Sequence, residues 1–131
     1  MTRRILMLCA AAVLVGGTGQ LLAHHSFTAA YDNTKRVEVE GVVTEFIWRN
    51  PHSFLRIEVT DEAGETEIWS LEWGSSSQLS AEQYPVTRTS IRAGDRIIVG
   101  GEPGRDPKIK RVRIFSINRP VDGWKWEGIV R

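Results

Sequence analysis

Three histidines, His24, His25 and His52, are the side chains whose type and spacing point most directly to chemistry in this sequence. If the working chain starts at His24, its free α-amine and imidazole can chelate one metal ion. A further imidazole, from His25 or His52, then completes a three-nitrogen, T-shaped donor set. Nitrogen donors in tetragonal geometry suit Cu(II). Zinc through the same residues is the alternative, with no thiolate to assist it. Pro51 restricts the backbone just before His52. Asn50 is the candidate to hold that loop by bonding its backbone. The plain alternative is a polar His-His arm and a loop histidine bonded to a carbonyl.

The start at His24 follows from the first 23 residues. Arg3 and Arg4 give a positive beginning, Ile5 to Val15 is an unbroken apolar run, and Gly16 to Gln20 interrupts it. Leu21-Leu22-Ala23 then offers a small residue for cleavage. These are the parts of a secretory signal peptide. The apolar run is too short for a bilayer, which takes about 20 residues. Export to the periplasm, with no stable membrane anchor after processing, is the expectation. Cys9 leaves with the leader, so the exported chain has no thiol and folds without disulfides in a compartment that permits them.

Processing takes Lys+Arg from 17 to 15 against 16 Asp+Glu, a net charge of −1. That balance argues against a dedicated nucleic-acid binder. A content of 41% hydrophobic and 25% charged residues is that of an ordinary globular domain. The remaining length supports one modest core.

These residues must be positioned by strands. Residues 24–35 read as an N-terminal arm and residues 36–131 as one domain. From Arg36, Val37 and Val39 alternate with Glu38 and Glu40. Gly41 interrupts, and Val42, Thr44, Phe46 and Trp48 continue out of phase, which predicts a bulge at the glycine. Asn50-Pro51 breaks the strand. Phe54 to Thr60 is a second strand, facing inward through Leu55, Ile57 and Val59. A turn at Asp61–Gly64 leads to a third, Glu65 to Trp73, with Trp69, Leu71 and Trp73 on its apolar face. Gly74 to Ser77 can start a helix, because serine oxygens accept from free N–H groups; Gln78 to Gln83 is its predicted body. Arg96 to Gly101 and Ile109 to Ile117 are strands four and five, the latter with a slip between Ile109 and Val112. Trp124 and Trp126 either add a short edge strand or lie across the barrel mouth. The pattern is mainly β: a small five-stranded barrel of the oligonucleotide/oligosaccharide-binding (OB) type, with one short helix between strands three and four. A long first strand that pairs in both halves is what closes such a barrel.

Three stretches carry a family resemblance: His24-His25-Ser26-Phe27, Gly41 to His52 with its Trp48 and Asn-Pro-His, and Arg92 to Gly101 with its Gly-Asp turn. Together they resemble a family of small exported bacterial proteins of unknown function. The resemblance implies a periplasmic location and a barrel-like fold, and no activity. More loosely, the architecture is similar to exported OB-fold proteins that bind small ligands. The N-terminal histidine arrangement itself resembles the histidine brace of exported copper proteins.

Other chemistry is thinner. Ser75-Ser76-Ser77 does not form a nucleophile elbow, and nothing places His52 beside a serine and an oriented acid. Glu38, Glu40, Glu65 and Glu67 sit on polar strand faces and read as solvated. Arg105, Lys108, Lys110, Arg111 and Arg113 form a basic run that suits an anion or an acidic partner; Arg111 and Arg113 share one strand face. Five tryptophans are many for this length. Trp69 and Trp73 read as core. Trp48, Trp124 and Trp126 could line a groove for a small ligand. The expectation is a binding or accessory protein rather than an enzyme, with copper at His24, His25 and His52. The alternative is a periplasmic module for a small ligand or protein, using the barrel face and the C-terminal tryptophans.

Overall fold

A computed structural model of the protein describes residues 27–130. The predicted leader, His24 and His25 lie outside the described residues. Residues 27–30 are helical. The compact barrel unit begins at Tyr31.

The described residues form six strands: β1 Val37–Ile47, β2 Phe54–Thr60, β3 Thr66–Glu72, β4 Arg96–Pro103, β5 Arg111–Arg119 and β6 Trp124–Glu127. They run in the order β3-β2-β1-β4-β5-β6, and a further β3–β5 pairing closes the sheet into a five-stranded barrel. Closure depends on two strands that change partner along their length. The first half of β1 pairs with β4 and its second half with β2. The start of β5 pairs in parallel with β3, through Arg111 to Arg113, and its end pairs with β6. The fold is therefore the predicted OB-like barrel, with β6 as an added strand.

Alternation explains β2 directly. Leu55 and Ile57 are fully buried and Val59 partly so, while Arg56 and Glu58 face water. These side chains join Val39, Val43, Leu71, Ile97, Val99, Val112 and Ile117 in one core. Each such burial stabilises the fold by about 1.5–3 kcal/mol before entropy is counted.

The bulge in β1 is not at Gly41. Inward phase runs on through Val39, Gly41 and Val43, and the register slips between Val43 and Glu45, leaving Thr44 as the extra, exposed residue. Gly41 serves a different need. A Cβ there would stand 2.6 Å from the Glu58 carbonyl oxygen, so its lack of a side chain lets β1 lie close to β2. The helix also starts earlier and is shorter than Gln78–Gln83. It spans Ser76–Leu79, with Ser75 as N-cap in a capping box with Gln78. Strand five starts at Arg111, and Ile109 lies in the preceding turn, half exposed.

Candidate functional site

His52 sits in the loop joining β1 to β2, and that loop is tied down at several points. The Ser53 hydroxyl donates to the Arg49 carbonyl at 3.1 Å. The Ser53 backbone exchanges bonds with Gly74 and Trp73. Asn50 reaches the start of the helix. Its Oδ1 accepts from the Ser76 hydroxyl at 2.9 Å and the Ser77 backbone N–H at 3.2 Å. Asn50 thus holds the loop through the helix N-terminus, rather than through the loop's own backbone as the sequence suggested. The Asn50–Pro51 peptide is cis.

This anchoring brings His52 to the outer face of the barrel beside the end of β3. His52 Nδ1 lies 2.5 Å from Glu72 Oε1. The other oxygen, Oε2, accepts a hydrogen bond from the Tyr31 hydroxyl. A carboxylate only accepts, so the proton between Glu72 and His52 sits on Nδ1. In the neutral imidazole the lone pair is then on Nε2. This is the arrangement by which a carboxylate fixes the tautomer and ring orientation of a metal-binding histidine. The Glu72 side chain is 14% exposed and that of His52 32%.

Glu72 is placed there by register. Leu71 and Val112 pair across β3 and β5 with both side chains in the core, so their neighbours Glu72 and Arg113 pair on the outside. Arg113 in turn pairs with Glu102 across β4 at 3.4 Å, and Arg36 meets the same carboxylate at 3.3 Å. Acid and base therefore alternate around the outer wall.

Tyr31 covers this row. It is 2% exposed and pairs with Gly104 in an isolated bridge. Burial pushes its phenol pKa far above the ordinary value, and the hydrogen bond to Glu72 adds to the shift. Arg111 and Arg113 pull the other way and are outweighed. The Arg111 guanidinium lies over the Tyr31 ring, 5.3 Å from its centroid. Tyr31 is thus a neutral donor that fixes the second oxygen of Glu72.

Of the predicted metal ligands, only His52 falls among the described residues. Among those residues no three His, Cys, Asp or Glu side chains converge as a metal set. The predicted tryptophan groove is divided. Trp48 packs edge-on to Phe46 at 5.4 Å, and Phe46 leads through Trp73 to Trp126. Trp126 is 5% exposed and is core rather than groove wall. Trp124 packs partly buried against the core and lies under the Arg119 guanidinium, 5.4 Å from its ring centroid.

The sequence reading missed Glu72 and Tyr31. Parity on β3 places Glu72 outward, but only the β3–β5 closure shows that this face is covered. Tyr31 gave no signal beyond being, with Phe27, one of two aromatic residues in the arm.

Comparison with known proteins gives a family without an activity. Residues 11–113, well over half of the chain, match a family described as being of unknown function (DUF6152). No curated protein matches. Among solved structures, the mitochondrial single-stranded DNA binding protein Rim1 from S. cerevisiae is similar with a TM-score of 0.40 and 16% identity, over 70% of this chain and 79% of that one.

Proposed function

We propose that this chain, which belongs to that family of unknown function, is an exported, non-catalytic copper-binding protein of the periplasm. His52 supplies one imidazole through Nε2. His24, as the processed N-terminal residue, supplies the other two nitrogens through its α-amine and imidazole, and His25 is the alternative source of the third. The reading rests on one observation above the others: Glu72 holds His52 Nδ1 at 2.5 Å, while Tyr31 holds Glu72. A loop histidine that only faced water would need no such support. The chemistry of the donor set favours copper over zinc, because three nitrogens without a thiolate suit a tetragonal ion better than a closed tetrahedral site.

The test is a competition titration on protein exported and processed in its own host, untagged, with the start at His24 confirmed by intact mass. The proposal expects one tight Cu(II) equivalent, Zn(II) bound more weakly, and loss of the tight site in His52→Ala. Binding that is weak, superstoichiometric and indifferent to His52→Ala would overturn it.

A further inference from the structure

The basic run is not spread over a solvated face. Lys35, Arg105, Lys110 and Arg111 line a cleft of about 350 Å³, and the Arg111 guanidinium lies over the Tyr31 ring. That volume falls at the lower end of small-ligand sites, which run from about 300 to 1,000 Å³. Among the described residues no carboxylate lines it. Its apolar wall is Trp69 together with Ile109, a large aliphatic side chain left half exposed.

The cations differ in how firmly they are engaged. Lys35 pairs with Asp32 at 3.1 Å, and Lys110 pairs with Glu67 at 3.3 Å while lying over the Trp69 ring. Exposed pairs of this kind are weak, so an incoming anion can compete for both lysines. Arg111 is held in another way. A Cβ on Gly104 would stand 2.8 Å from Arg111 Cγ and 3.0 Å from its Nε, so the arginine stem runs over a glycine floor with the Tyr31 ring against its guanidinium. Among the described residues no carboxylate pairs with Arg111, and its buried Nε–H has no acceptor. The buried indole N–H of Trp69 has none either. Leaving such donors unmatched is unfavourable. A guanidinium stacked on an aromatic ring without a carboxylate partner, two ammonium groups in surface pairs and a flat apolar wall together match one class of ligand.

We infer that this cleft binds a small organic anion, a carboxylate carried on a flat apolar body, with the carboxylate on Arg111 and the body against Trp69 and Ile109. The inference is independent of copper at His52, and each can fail without the other.

The test is a titration of the full chain with naphthalene-2-carboxylate, followed by the ¹H–¹⁵N signals of the Trp69 indole and the Arg111 Nε–H. Both signals should shift and saturate together. Binding should be at least tenfold tighter than for the uncharged naphthalene-2-methanol and than for inorganic phosphate. Gly104→Ala, which pushes on the Arg111 stem, should weaken binding about tenfold. Lys35→Gln with Arg105→Gln, two surface changes that leave the core untouched, should weaken it at least threefold. Equal affinity for the alcohol would reduce the cleft to an apolar patch, and equal affinity for phosphate would reduce it to an unspecific charge. Binding of phosphatidylglycerol vesicles without binding of the naphthoate would make the face a membrane surface. Any of these, or the absence of a saturable shift, overturns the inference.

Discussion

At one end of β5, Arg119 commits its guanidinium to Asp122, to Asp95 at 2.8 Å and to the Ser90 carbonyl at 2.8 Å. Near the other end, across from Arg113, Glu72 commits its two oxygens to His52 and Tyr31. Both knots tie separate segments to the barrel, yet their chemistry differs. Around Arg119 two of the partners, Asp95 and Asp122, are full opposite charges. Hydrogen bonding from Asp122 holds the Arg119 pKa above its ordinary value, and Arg119 holds that of Asp122 below. Such a knot closes a corner and leaves nothing for a ligand to complete. Around Glu72 the direct partners are an imidazole and a neutral phenol. Neither cancels the carboxylate fully, and the imidazole keeps a second nitrogen with its own chemistry. A charge-matched knot is structural. A carboxylate that orients a histidine is what our proposal reads as a prepared ligand.

The largest expected effect tests that contrast directly. Glu72→Gln keeps the size of the side chain but weakens its hold on His52 Nδ1, and should cost about 10–100-fold in Cu(II) affinity. The barrel should stay folded by circular dichroism. Arg119→Ala, made in parallel, should leave the metal affinity unchanged.

Alkaline unfolding gives the next effect. Tyr31 is neutral in the fold, and its folded pKa lies above the unfolded value of about 10. The unfolded chain therefore releases that proton first as pH rises. The stability linked to Tyr31 is present below pH about 10 and declines above it, by up to about 1.4 kcal/mol per pH unit. Chemical denaturation between pH 8 and 11.5 should show this decline, and Tyr31→Phe should remove it; these pH bounds are chosen to span roughly that value.

Arg119→Ala itself should lower stability by about 1 kcal/mol through loss of its partly exposed pairs, read as a lower urea midpoint. Smallest is Trp124→Leu, which removes the stacking on Arg119 and should cost about 0.5 kcal/mol. It should not alter copper binding. A clear loss of ligand affinity in this variant would revive the tryptophan groove.

How much was legible in the sequence varies along the chain. The β2–β3 hairpin could be read because each strand buries one face only, so Leu55, Ile57 and Leu71 mark it by period. The bulge was misplaced because Gly41 has no side chain to show its phase; alternation cannot tell an inward glycine from a break. The helix was drawn too late because Ser75 was read as one of several possible caps, whereas the reciprocal bond with Gln78 selects it. His52 and Asn50 stood out by type and spacing. Glu72 did not, because a strand carboxylate looks solvated until one knows which strands close the barrel. Tyr31 could be connected to Glu72 only by the fold, at a separation of 41 residues. The basic run was visible, but its gathering around Trp69 depends on the turn before β5 and on the glycine floor beneath Arg111.

The central claim is that Glu72 holds His52 ready for a metal ion. The most direct measurement is electron paramagnetic resonance of the natively processed chain with one equivalent of Cu(II), beside His52→Ala and Glu72→Gln. The account predicts a single stoichiometric signal with coupling to three nitrogens. That coupling should fall to fewer nitrogens in His52→Ala and become heterogeneous in Glu72→Gln. A spectrum unchanged in both variants would contradict it, and would leave the His52–Glu72–Tyr31 knot as a structural tie like that of Arg119.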